Sequence, residues 1–268
     1  MDKVVILAAG LGTRMRKANG QAVLTDAQAE AAQSGVKALI PIDRPFLDYV
    51  LSRLADAGYR KVCMVTGPKH NQLRDYYKSL QSKRLEFEFA IQQEPLGTSD
   101  AVLAAEKFAG DDEFVVINSD NHYPANALKQ LRQIQGCALV GFESGAMTAA
   151  SNIEPERIKG FAVAEVNGDG YLSRIVEKPD EKFLAAAAKP IYLSMNCWRL
   201  NSSIFTACRN IKPSARGELE LPDAVEYAME KLGQQFRLIR SDEAVLDLSS
   251  REDVGPVAEI LADEEVSL

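Results

Sequence analysis

Four times before residue 136, a short β-prone apolar run is followed by a stretch with apolar residues at helical spacing. This alternation limits the fold more than any other feature of the chain. Residues 4–9, 61–66, 85–91 and 113–118 read as strands, and 45–57, 70–80, 98–108 and 124–135 read as helices. Such alternation predicts βαβ units and a parallel sheet. The helix over 45–57 carries its own boundary signals, Pro45 at its start and Gly58 just past its end. Ligands of such sheets bind outside the carboxyl ends of the strands. Gly10-Leu11-Gly12, Gln92-Gln93-Glu94 and Asn118-Ser119-Asp120 all fall at those ends.

Beyond about residue 137 the rhythm changes. Residues 138–142, 161–166 and 171–176 read as strands, the last two joined by Asn167-Gly168-Asp169-Gly170, a strong hairpin signal. Helices near 201–209 and 219–232 precede a strand over 236–246 and a last helix after Ser250. The fold class that follows is α/β, a Rossmann-like doubly wound, mixed but mostly parallel sheet. One domain over 1–268 is expected, with residues 137–268 decorating the sheet.

Composition narrows the chemistry. At 46% hydrophobic, a chain of 268 residues buries a sizeable core without disulfides or metal. A net charge of −7 argues against nucleic-acid partners. No apolar run approaches the ~20 residues that span a bilayer, and no signal peptide is recognisable, so a cytoplasmic protein with no membrane association is expected. Cys63, Cys137, Cys197 and Cys208 form no Cys-x-x-Cys pair and read as core residues. His70 and His122 are too few for a histidine-built zinc site or a His-dependent triad.

The first strand runs into Leu7-Ala8-Ala9-Gly10-Leu11-Gly12-Thr13-Arg14. Glycines here let the backbone approach anionic oxygens closely. A dinucleotide-binding turn would place a further glycine at Met15, so that reading falls. Arg14 instead sets a forked, permanently charged donor where phosphate oxygens would lie. Asp120 ends a strand, where a carboxylate suits Mg²⁺ shared with phosphates.

Gly10-Leu11-Gly12-Thr13-Arg14, paired with the downstream Lys37-Ala38-Leu39-Ile40-Pro41, resembles the signature of the sugar-1-phosphate nucleotidyltransferases. The resemblance implies a GT-A-like nucleotidyltransferase fold. It also implies a transferase of the NDP-sugar pyrophosphorylase type (EC 2.7.7 class), active in nucleotide-sugar biosynthesis. Such an enzyme condenses an NTP with a sugar 1-phosphate, or a cyclitol phosphate, and releases pyrophosphate. Leu7, Ala8, Ala9, Gly10, Gly12 and Thr13 would wrap the triphosphate, which Arg14 and Lys37 neutralise. Gln92 with Gly97 and Thr98 resembles the family's base-recognition segment, although Thr98 also reads as a helix cap. Asp120 and Asp247 would hold Mg²⁺. Ser119 stands where the family commonly has Gly, and Asp247 lacks the usual following Gly-Thr, so a plain cap by Ser249 or Ser250 competes there.

On the acceptor side, Lys159-Gly160-Phe161, Glu177-Lys178-Pro179 and Asn196 resemble sugar-binding motifs. Gly160, Glu177 and Asn196 would then meet the sugar, with Asn121 beside them, and Lys178 would hold its phosphate. A surface salt bridge is the competing account of Glu177 and Lys178. Gly217–Ala224 resembles a family helix start that brings Glu218 to the pocket. Residues 1–136 would form mainly the NTP-binding half and 137–268 mainly the sugar-phosphate half. Lys37 follows Arg14 by 23 positions, more than the family interval. The added segment 17–35 reads as a helix capped by Thr25, and either a mobile flap or an inert insertion. The base stays undecided between guanine, uracil and adenine, with thymine disfavoured. A cytidylyltransferase for a non-sugar alcohol phosphate and a catalytically silent regulatory subunit remain the alternatives. A homo-oligomer stays open, and the acyltransferase domain of some relatives is not expected.

Overall fold

The computed structural model describes residues 1–17 and 22–268. Its strands are β1 (Lys3–Ala8), β2 (Lys61–Thr66), β3 (Glu86–Ile91), β4 (Phe114–Asn118), β5 (Asn121–His122), β6 (Ala138–Glu143), β7 (Ala162–Val166), β8 (Leu172–Val176), β9 (Tyr192–Leu200), β10 (Arg237–Ser241) and β11 (Leu246–Asp247). The main sheet runs β10-β6-β9-β4-β1-β2-β3, and β7 joins it through β9 and carries β8. β1 pairs in parallel with both β2 and β4, as β2 does with β3 and β10 with β6. β9 is antiparallel to β4, β6 and β7. The mixed, mostly parallel sheet expected from the alternation is therefore present.

Side-chain alternation along the strands feeds two cores. Val4, Ile6, Met64, Val115 and Ile117 face one layer, which includes the buried residues of the helices Phe46–Asp56 and Ala125–Gln133. Val5, Cys63, Val65, Phe114 and Val116 face the other, with the helices Thr98–Ala104, Ser203–Asn210 and Leu221–Leu232. Burial on both faces is why these strands read as unbroken apolar runs. Each fully buried large side chain contributes roughly 1.5–3 kcal/mol. Phe46, Leu47, Val50, Leu51 and Leu54 all have 0% exposure, so the helix Phe46–Asp56 is seated firmly on the sheet.

The second half does more than decorate. β6, β9 and β10 extend the sheet itself, and β9 lies between β4 and β6. The sequence reading placed no strand over Tyr192–Leu200. Its register against β6 jumps from Leu139↔Trp198 to Gly141↔Ser194, so Met195–Cys197 bulge out and break the two-residue alternation. The hairpin expected at Asn167–Gly170 joins β7 to β8, with Gly170 at φ +81°. All four cysteines are buried and free, and burial pushes the Cys63 thiol up to about 12. No helix among the described residues is long and apolar enough to cross a membrane.

Candidate active site

The chain runs outward from β1 to β2 and β3, then returns to β4 on the other side of β1. That reversal opens a crevice beyond the carboxyl ends of β1 and β4, the place where open α/β sheets bind ligands. A cleft of about 460 Å³ lies there. One wall is the turn after β1, and Ser119, at the end of β4, ties its N–H to the Leu7 carbonyl at 3.2 Å. A Cβ on Gly10 would meet nothing within 4 Å, so the turn faces open space at the point where anionic oxygens would sit.

Gly12 is required for a different reason. It has φ +60°, and a Cβ there would lie 2.1 Å from the Gly35 carbonyl oxygen. Gly35 in turn ends the helix Asp26–Ser34, which a Thr25–Gln28 capping box begins. Gln28 Nε2 donates to the Pro41 carbonyl and Arg16 Nη2 to the Ser34 carbonyl. Helix Asp26–Ser34 of the inserted segment is thus tied at Ser34 to the helix that follows the glycine turn and at Gln28 to Pro41. Residues 18–21 of that segment lie outside the described residues.

Immediately after Gly35, a short 3-10 turn (Lys37–Leu39) presents Lys37 to the cleft. Its Nζ lies 2.7 Å from Asp120 Oδ2, with both side chains about four-fifths buried. The expected phosphate ligand and the expected metal ligand therefore form an ion pair with each other. Gln92 follows β3, and Gly97 and Thr98 begin the next helix. Gly97, at φ +127°, lets the segment at Leu219 cross so closely that a Cβ would lie 2.4 Å from the Leu219 carbonyl oxygen. Thr98 does not cap its own helix. Its hydroxyl accepts the Leu221 N–H at 2.8 Å, and so joins a second helix start to the cleft and helps bring Glu218 to its wall.

Asn196 lines the cleft from the β9 bulge. Asn196 (φ +53°) and Lys178 (φ +44°) are the non-glycine residues with positive φ among those described. Backbone strain of this kind gathers at binding sites, and here it falls on two residues expected from the sequence to meet the sugar phosphate. Tyr123, fully buried, fixes the bulge by donating its hydroxyl to the Met195 carbonyl at 2.7 Å.

Leu7, Ala8, Ala9, Gly10, Gly12, Thr13, Lys37, Gln92, Gly97, Thr98, Asp120 and Asn196 thus share one cleft. The other sequence-derived candidates stand apart from its wall. Arg14 is exposed on the short helix Thr13–Arg16, and Gly160 and Lys178 are exposed on the β7–β8 side. Glu177 keeps a solvent-facing surface, yet packing around its carboxyl raises it and Glu220 adds to the shift. Asn121 is buried and does not face the cleft. Its amide accepts from Asn118 Nδ2 and donates to Asp247 Oδ1, because β5 pairs with β11 and sets Asn121 opposite Asp247.

Asp247 lies behind the cleft wall. Leu248 N–H, next in the chain, donates to the Asp120 carbonyl at 2.8 Å. Burial, then the charge of Asp120, pushes the Asp247 carboxyl up to about 6. Arg157, which the sequence reading missed, answers that charge. Its guanidinium lies 2.5 Å from both Asp247 Oδ2 and Asp253 Oδ1. Asp253 Oδ2 is itself held by the N–H groups of Ser249 and Ser250, so the cap expected as the competing account of this segment is present, as a capping box at Ser250. Nothing in Glu154-Pro155-Glu156-Arg157 signals this role, since its partners lie 90 and 96 positions away.

Among the described residues no group of three or more His, Cys, Asp or Glu is disposed to hold a metal ion. Mg²⁺ takes one or two protein carboxylates and leaves its other positions to water and substrate oxygens, whereas zinc would demand more protein ligands. Asp120, on the cleft wall, is a donor of the first kind, whereas both Asp247 oxygens already accept, from Asn121 and from Arg157.

A Rossmann-like α/β protein with a glycine turn lining a cleft at its switch point is the class that fold and cleft define. The sequence model of the nucleotidyl transferase family matches residues 3–264, and the chain belongs to that family. It is 28% identical over 231 residues to the low-salt glycan biosynthesis nucleotidyltransferase Agl11 of Haloferax volcanii, covering 85% of this chain and 57% of that one. It is 29% identical to the UTP–glucose-1-phosphate uridylyltransferase YngB of Bacillus subtilis, covering 90% and 83%. It is 27% identical to the glucose-1-phosphate thymidylyltransferase of Streptomyces antibioticus, covering 85% and 57%. In fold it is similar to a UDP-glucose pyrophosphorylase solved with UDP-glucose, at TM-score 0.75 and 21% identity over 99% of this chain and all of the other.

Proposed function

We propose that the chain condenses a nucleoside triphosphate with a sugar 1-phosphate to give an NDP-sugar and pyrophosphate. The observation that carries this reading is the meeting of Lys37, Asp120, Gln92 and Asn196 around the glycine turn in one cleft. The relatives named for UTP or thymidylyl transfer to glucose 1-phosphate support the same reaction.

In this reading an oxygen of the sugar phosphate forms a bond to the α-phosphorus. The bond from that phosphorus to the bridging α–β oxygen breaks, and its electron pair leaves on pyrophosphate. The nucleophile is already an anion at neutral pH, so no general base is needed. Catalysis is then positioning and charge neutralisation. Lys37 exchanges Asp120 for a phosphate oxygen when the nucleotide enters, and Arg14 receives the pyrophosphate end at the open mouth. Lys178 holds the incoming sugar phosphate. Mg²⁺, when held by Asp120 and Asp247, would supply charge neutralisation shared between the phosphates. Residues 1–136 serve mainly the nucleotide, while Asn196 and Glu218 bring the second half to the same cleft.

The test is pyrophosphate release from a matrix of NTPs and sugar 1-phosphates. Release that requires both substrates is expected for at least one pair. Release from the NTP alone, or none with any pair, contradicts the proposal.

A further inference from the structure

The helix Asp26–Ser34 lies within the long interval between Arg14 and Lys37, and the turn that carries Lys37 is bonded to it on both sides. On the entry side, Ser34 Oγ donates to the Ala31 carbonyl at 2.7 Å and accepts the Val36 N–H at 3.1 Å. The Gly35 carbonyl, at the helix end, accepts the Lys37 N–H at 3.1 Å. On the exit side, Gln28 Nε2 donates to the Pro41 carbonyl at 3.0 Å. Between these ties Ala38 and Ile40 are buried in the core. The Lys37 side chain is only 18% exposed, so its stem has little room to make up for a shifted backbone.

The Gln28 amide has a settled direction. Its Oε1 accepts the Thr25 N–H at 3.1 Å and closes the capping box. Its nitrogen is left for the Pro41 carbonyl, which can only accept. One side chain therefore does two separable things: its oxygen starts the helix, and its nitrogen ties the helix to the far end of the Lys37 turn. The other end of the helix meets the glycine turn. A Cβ on Gly35 would lie 2.9 Å from the Leu11 carbonyl oxygen, and Arg16 adds its bond to the Ser34 carbonyl.

We infer that the helix Asp26–Ser34 is a brace that sets Lys37 against the glycine turn, with Gln28 as its positioning residue. Neither a mobile flap nor an inert insertion then describes the segment. The inference rests on the proposed reading of Lys37 as a phosphate ligand. A charge displaced by about 1 Å from the group it neutralises costs up to about 10² in rate.

The test is pyrophosphate release by the full chain, with the NTP and sugar 1-phosphate pair that reacts fastest in the matrix above. Q28E is measured in the wild-type and K37A backgrounds, and T25A in wild type. Glutamate at position 28 keeps the acceptor that closes the capping box but has no proton for Pro41. Q28E is therefore expected to lower kcat at least about tenfold. In K37A the tie has no ammonium left to position, so there Q28E should change the rate by less than about twofold. T25A loses the cap hydroxyl and keeps the tie, and should hold kcat within about twofold of wild type. Q28A, which loses cap and tie together, serves if Q28E does not fold. A merely structural Gln28 would slow both backgrounds by the same factor. That outcome, wild-type kcat in Q28E, or a loss in T25A as large as in Q28E overturns the inference while the parent reading stands. K37A at the wild-type rate, or no pair that releases pyrophosphate, overturns both.

Discussion

The two sides of the proposed reaction are built differently. The nucleotide side is walled by strand ends and crossing backbones: Ser119 bonded to Leu7, Gly12 against Gly35, and Gly97 against Leu219. Its cation and carboxylate, Lys37 and Asp120, already touch. The acceptor side hangs on the β7–β8 hairpin and its exit, where Gly160 and Lys178 lie exposed and only Asn196 and Glu218 reach the cleft. In the proposed reading, the difference means that charge compensation is preorganised for the nucleotide and is completed by arrival of the sugar phosphate.

The largest expected effect falls on the preorganised side. Lys37→Ala or Asp120→Ala should each slow pyrophosphate release by on the order of 10²–10³, with near-normal turnover in both variants refuting the roles given them. Next comes the support behind the cleft. Arg157→Ala leaves Asp247 and Asp253 buried without their cation and should cost about 3 kcal/mol in a urea melt. Lys178→Ala, which removes an exposed cation and keeps the positive φ, should leave stability intact by contrast.

A pair of glycines sharpens the contrast further. Gly97→Ala forces a side chain onto a left-handed backbone against Leu219 and should cost about 2 kcal/mol. At Gly160 the nearest atom to a new Cβ is the Arg157 carbonyl oxygen at 3.3 Å. Alanine there should cost under about 1 kcal/mol in the same melt. A last effect has opposite signs in two readouts. Lys178→Gly relieves a positive φ and should raise stability by about 1 kcal/mol. It should also raise the KM for sugar 1-phosphate about tenfold through loss of a charged contact. A stability gain without the KM change would leave Lys178 a surface residue.

The sequence made the nucleotide side legible because parallel strands buried on both faces read as apolar runs, with chemistry-bearing residues just past their ends. Gly10, Gln92 and Asp120 are found that way. β9 was hidden because the Met195–Cys197 bulge, which aims Asn196 into the cleft, also destroys the alternation that marks a strand. Asn121 was misplaced because motif matching carries no side-chain direction, and pairing of β5 with β11 turns it toward Asp247. Arg157 was invisible because a long-range ion pair leaves no local pattern.

The most direct measurement is a calorimetric comparison of the two substrates titrated separately into the free enzyme with Mg²⁺ present. A prebuilt nucleotide side predicts saturable NTP binding without sugar phosphate, and sugar 1-phosphate binding only once a nucleotide occupies the cleft. Tight binding of sugar 1-phosphate to the free enzyme, with no NTP binding until it is present, would contradict the account.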